Sequence, residues 1–64
     1  MHNRRYQYKG FWIEIFLIPD FENHQISYQA SIELPNEGGV ISDYPHPNLD
    51  QAEFAAEEMI ESWN

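Results

Sequence analysis

Residues 25–34 read QISYQASIEL, and apolar and polar side chains alternate there without a break. Ile26, Tyr28, Ala30, Ile32 and Leu34 fall on one side; Gln25, Ser27, Gln29, Ser31 and Glu33 fall on the other. Period two sustained over ten residues describes a strand with one dry face and one wet face. A chain containing it must build a sheet, and must supply something apolar to cover one side of that sheet.

An earlier stretch, FWIEIFLI at residues 11–18, is apolar throughout except at Glu14. Its odd positions, Phe11, Ile13, Ile15 and Leu17, make the better core face. Its even positions, Trp12, Phe16 and Ile18, leave large apolar side chains on the opposite face. This predicted strand ends at Pro19, and DFENH at 20–24 reads as a turn. A third strand is predicted over VISDY at 40–44, after the glycine-containing loop PNEGG at 35–39. Either Val40 and Tyr44 or Ile41 occupies its core side. Pro45 and Pro47 end it.

Asn48 then stands where a helix N-cap belongs, with Gln51 three residues on and Asp50 in the first turn, where the helix dipole favours negative charge. Ala52, Ala55, Ala56, Met59, Ile60 and Trp63 form an apolar stripe at helical spacing, and Phe54 falls off it. Glu53, Glu57, Glu58 and Glu61 lie mostly on the other side. The helix is expected to reach Ser62 or Trp63.

The resulting expectation is an α+β fold: a three-stranded antiparallel meander with one C-terminal helix packed on one face, in a single domain spanning residues 1–64. The strand at 25–34 is expected in the middle and the strand at 11–18 at an edge. Residues 1–9 either extend that first strand, with Gly10 as a bulge, or are loose.

Charge is unevenly placed. Arg4, Arg5 and Lys9 are the only basic residues, and all eleven acidic residues follow Gly10, so residues 10–64 carry a formal charge of −11. Direct binding to nucleic-acid phosphate needs Lys/Arg clusters, so it is not expected. The absence of cysteine excludes disulfides and zinc–thiolate sites and fits a reducing cytoplasm. The longest apolar run is too short to span a membrane. The N-terminus lacks the apolar segment of a signal peptide.

Candidate chemistry is sparse. Phosphate loops, nucleophile elbows and HExxH motifs are missing. Asp20, Glu22 and His24 form a D-x-E-x-H pattern that could converge on a cation, but a solvated hairpin tip explains it as well. His46, between two prolines, has no partner at a defined spacing and reads as a loop residue. Neither a cofactor nor a metal is expected, and the reading is non-enzymatic.

The segments GGVISDYP and NLDQAEFAAEEMIESW, with YQASIEL before them, carry a resemblance to the HicB-like antitoxin domain. Gly38, Gly39, Tyr44, Pro45, Asn48, Ala52 and Ala56 stand at similar places, and the likeness covers about two-thirds of the chain. It implies an antiparallel sheet with one helix, and a role in binding a protein partner such as a small basic toxin. The chain departs from the family in having HPNLD after the third strand, where the family has a proline-glycine loop.

Two functional expectations follow. One is a protein-interaction module, homodimeric or bound to another protein through Trp12, Phe16 and Ile18. An edge position of their strand would add unpaired backbone groups to that surface. The other is an acidic inhibitor or nucleic-acid mimic, in which Glu53, Glu57, Glu58 and Glu61 face a basic protein.

Overall fold

The computed structural model describes residues 2–36 and 38–63. Four strands and one helix follow in order: β1 (His2–Tyr8), β2 (Phe11–Asp20), β3 (Gln25–Leu34), β4 (Gly39–His46) and α1 (Leu49–Ser62). The strands form one antiparallel sheet in the order β1-β2-β3-β4, so every connection is a hairpin. The fold is α+β, as the residue pattern implies, but the expected three-stranded sheet is corrected to four strands.

The fourth strand is the leading segment. It neither lengthens β2 nor hangs loose. It folds back through Lys9 and Gly10, whose φ values of 50° and 87° are both positive. A two-residue hairpin of the type I′ class needs positive φ at both central residues, and glycine supplies one at no steric cost. Tyr8 pairs with Phe11, Tyr6 with Ile13 and Arg4 with Ile15. Gly10 is therefore the corner of a turn and not a bulge. An irregularity in register does occur, further along, between His2 and Arg4. β2 consequently lies inside the sheet with a partner on each side, and the edges are β1 and β4.

β2 runs two residues past the expected stop, with Pro19 opposite Ile26 and Asp20 opposite Gln25. β3 matches the alternating segment in full. In β4 the side-chain order is settled by pairing: Ile41 lies opposite Ile32 and so faces the helix, while Val40 lies opposite Glu33 on the other face. Between Gln29 and Ser31 the register slips, and β4 carries one extra residue around Asp43 and Tyr44. Gln29 Nε2 donates to the Asp43 carbonyl at 2.7 Å, so the interrupted ladder keeps a partner there. Beyond the bulge, Pro45 remains in the strand opposite Gln29, a place an edge strand tolerates.

The helix begins where the cap predicts. Asn48 is extended, and its Oδ1 accepts from the Gln51 backbone N–H at 2.8 Å. Ala52, Ala56 and Ile60 are fully buried against Ile13, Ile15, Ala30 and Ile32. The two alanines bring the helix backbone close to the sheet, and the isoleucines fill the seam. Tyr6, Tyr8, Phe11, Tyr28, Leu49 and Met59 pack around this centre. Trp63 closes the helix as C-cap and meets Phe11 edge to face, with centroids 5.4 Å apart. The far end of the β2–β3 hairpin runs beyond the core, which leaves Ile26 half exposed although its side of the strand is the apolar one.

Candidate interaction surface

Because α1 covers one face of the sheet, the other face has no second layer among the described residues. Period two and the strand register place Arg5 and Gln7 of β1, Trp12, Glu14, Phe16 and Ile18 of β2, and Ser27, Gln29, Ser31 and Glu33 of β3 together there. Trp12, Phe16 and Ile18 thus share one face, as expected. Each is half-buried, because polar side chains of the flanking strands stand on either side. The Arg5 guanidinium lies 4.0 Å over the Trp12 ring, and its Nη2 reaches Glu33 Oε1 at 3.5 Å. A cation held on an indole face is worth about 0.5–1 kcal/mol at such an exposed site. Trp12 is thereby partly shielded by its own chain, and the apolar strip is narrower than a bare strand edge would be.

Three of the four helix carboxylates expected opposite the apolar stripe have partners on β1 or at its end. Arg4 Nε is 2.9 Å from Glu53 Oε2, an ion pair without hydrogen-bond geometry. Tyr6 donates to Glu57 Oε2 at 2.8 Å. Tyr8 donates to Glu61 Oε2 at 2.7 Å, and Lys9 Nζ bonds the same carboxylate at 2.7–2.8 Å. The repeat has a geometric cause. Four helical residues rise about 6 Å, and two strand residues rise about 6.6–6.8 Å. β1 and α1 run in the same direction, so positions 4, 6 and 8 meet positions 53, 57 and 61 in turn. Glu58 stands outside this ladder and is exposed.

The electrostatics follow from those contacts. Burial, and then the bond to Glu57, push the Tyr6 hydroxyl well above the ordinary phenol range. The bond to Glu61 raises Tyr8 to about 12. Lys9 and then Tyr8 hold the Glu61 carboxyl below its ordinary value.

The turn at 20–24 uses its polar groups internally. Asp20 accepts from the backbone of Glu22 and Asn23 and from Asn23 Nδ2, which lowers its pKa. Among the described residues no group of three or more His, Asp or Glu side chains converges as a cation site. His46 does have a partner: Nε2 is 3.0 Å from Asp43 Oδ2. The bulge in β4 brings them together, which spacing alone did not reveal. The groove beside them is lined by His46, Asp50, Gln51, Phe54 and Ala55, which bring no hydroxyl or thiol to the pair. Phe54, which falls off the apolar stripe, is exposed. Among the described residues no helix is long and apolar enough to cross a membrane.

No family model, curated protein or solved structure matches this chain. The likeness to the HicB-like antitoxin domain therefore rests on the sequence segments that carry it.

Proposed function

We propose that this chain is a small acidic, non-enzymatic protein-interaction module that docks a partner on the open face of its sheet. The observation that carries the reading is the missing second layer among the described residues: α1 packs on one face, and the other presents Trp12, Phe16 and Ile18 on β2, with Glu14 between the first two. Aromatic anchors inside a polar frame are what protein interfaces favour. The frame here is Arg5, Gln7, Gln29 and Glu33, and Glu14 interrupts the strip, so the partner brings apolar groups and hydrogen-bonding groups to the same face. Since β2 is interior, the contact is side chain to face, and strand pairing at β2 has no part in it. A net charge of −8 suits a basic partner, the kind that HicB-like domains would bind. A cysteine-free chain suits work in the cytoplasm. Charge mimicry has less to draw on, because Glu53, Glu57 and Glu61 are held by β1.

The test compares affinity capture by the wild type, by Trp12→Ser/Phe16→Ser and by Glu58→Lys, each first shown to be folded by circular dichroism. The double variant is expected to lose a partner that the wild type and Glu58→Lys both retain at high salt. Identical recovery by all three sinks the reading. Loss on adding salt, together with loss in Glu58→Lys, favours mimicry instead.

A further inference from the structure

The two edges of the sheet differ in a way that the docking face does not explain. β1 carries Arg4 and Arg5, with Lys9 at its end, and charges of this kind stop an edge strand from pairing with another chain. β4 carries no lysine or arginine. Its Val40, Ile41 and Tyr44 are 61%, 36% and 77% exposed. Its one carboxylate, Asp43, has a side chain only 10% exposed and held by His46. The helix shows the same asymmetry. Glu53, Glu57 and Glu61 face β1, whereas Gln51 and Ala55 line a groove with His46 of β4 in which Asp50 is the one carboxylate. Met59 and Ser62 continue that flank at helical spacing and are uncharged, and the exposed Glu58 stands on its solvent side. At the helix C-terminus the flank runs into an apolar groove of about 380 Å³ formed by Phe11, Leu34, Ile41 and Trp63 with the β3–β4 loop.

From this asymmetry we infer that β4 is the interface through which two copies of this chain pair, edge to edge about a two-fold axis, into one eight-stranded sheet. Charge selects the occupant. A chain of net charge −8 repels its own copy over most of its surface. An interface between identical copies brings each patch against itself, so a charged patch meets like charge. Of the two sheet edges, β4 is the one where that meeting sets no arginine against its copy and where the strand's own carboxylate, Asp43, is held by His46. Antiparallel pairing centred near Ile41 sets Gly39 opposite the partner's Asp43. Pro45, which lacks a backbone donor, and the bulge at 43–44 then fall at the end of the ladder and limit its length. The Trp12 faces of the two copies come to lie on one side of a continuous sheet, so a dimer offers two docking faces at once.

The inference goes beyond the proposed function, and its experiment reads a different surface. Sedimentation equilibrium of the wild type from low to high micromolar concentration is expected to show a monomer–dimer equilibrium. Its affinity should hold or rise with salt, as screening relieves repulsion. Backbone amides of residues 39–43 should exchange more slowly as dimer forms. Val40→Lys/Tyr44→Lys, at two exposed positions, should weaken association by more than about tenfold. Trp12→Ser should leave it unchanged. A monomer throughout the range overturns the inference. So does a dimer in which β4 exchange is independent of concentration, or one that Trp12→Ser dissociates.

Discussion

Replacing Tyr6 with phenylalanine removes one rung of the β1–helix ladder and little else. The ring stays, and with it the packing against the core and the Arg4 guanidinium 4.8 Å over its centroid. What goes is the hydroxyl that donates to Glu57 Oε2 at 2.8 Å. A hydrogen bond to a charged group contributes about 1.5–3 kcal/mol when buried. Both partners here are only half-buried, so water can replace the lost donor, and about 1 kcal/mol is expected. In a domain of this size that lowers Tm by about 4–8 °C. Thermal unfolding by circular dichroism measures it, and Glu57→Gln with the double variant completes a cycle that isolates the pair. If β1 is tied to the helix by this ladder, the two single effects should not add. A coupling below about 0.3 kcal/mol would refute the reasoning, since additivity errors are of that size. β1 would then be held by its backbone pairing with β2 alone.

Three further outcomes are expected. Ala56→Glu puts a carboxylate into a seam with no exposure, and the cost should exceed the roughly 3–10 kcal/mol available to a chain of this length, so its circular dichroism spectrum should be that of an unfolded chain. Asn48→Ala leaves the Gln51 N–H without its acceptor and should cost about 1 kcal/mol, read as a lower Tm that Asn48→Ser largely restores. Tyr8 should ionise near pH 12, against an ordinary value of 10.0, in a spectrophotometric titration. Its raised value means that its contribution to stability is complete below pH 10 and is lost as pH rises through about 12. Glu61, with a lowered value, contributes above its ordinary 4.5 and loses that contribution as pH falls through the lowered value. A Tyr8 midpoint at the ordinary phenol value would show that the bond to Glu61 is absent in solution.

Local pattern carried much of this architecture. The alternation at 25–34 specifies β3, because the side-chain period of a strand is a property of the backbone and needs no partner to be visible. The Asn48 cap and the spacing of Ala52, Ala56 and Ile60 specify the helix and its buried line for the same reason. Trp12, Phe16 and Ile18 could be placed on one face by counting in twos. β1 could not be read this way. Arg4, Tyr6 and Tyr8 are polar or amphipathic, and their side of the strand counts as inner only because Glu53, Glu57 and Glu61 wait about fifty residues away. Pairing at such separation is decided by the packed molecule. Once β1 was in place it took over the edge, β2 became interior, and three helix carboxylates acquired partners on it. The His46–Asp43 pair and the extension of β4 through Pro45 likewise depend on a bulge whose position is set by register against β3. The sequence by itself therefore determined β2, β3 and the helix with the sides they bury. Only the tertiary structure decided which strand lies at the edge and where the charges are neutralised, because both depend on neighbours that no local period encodes.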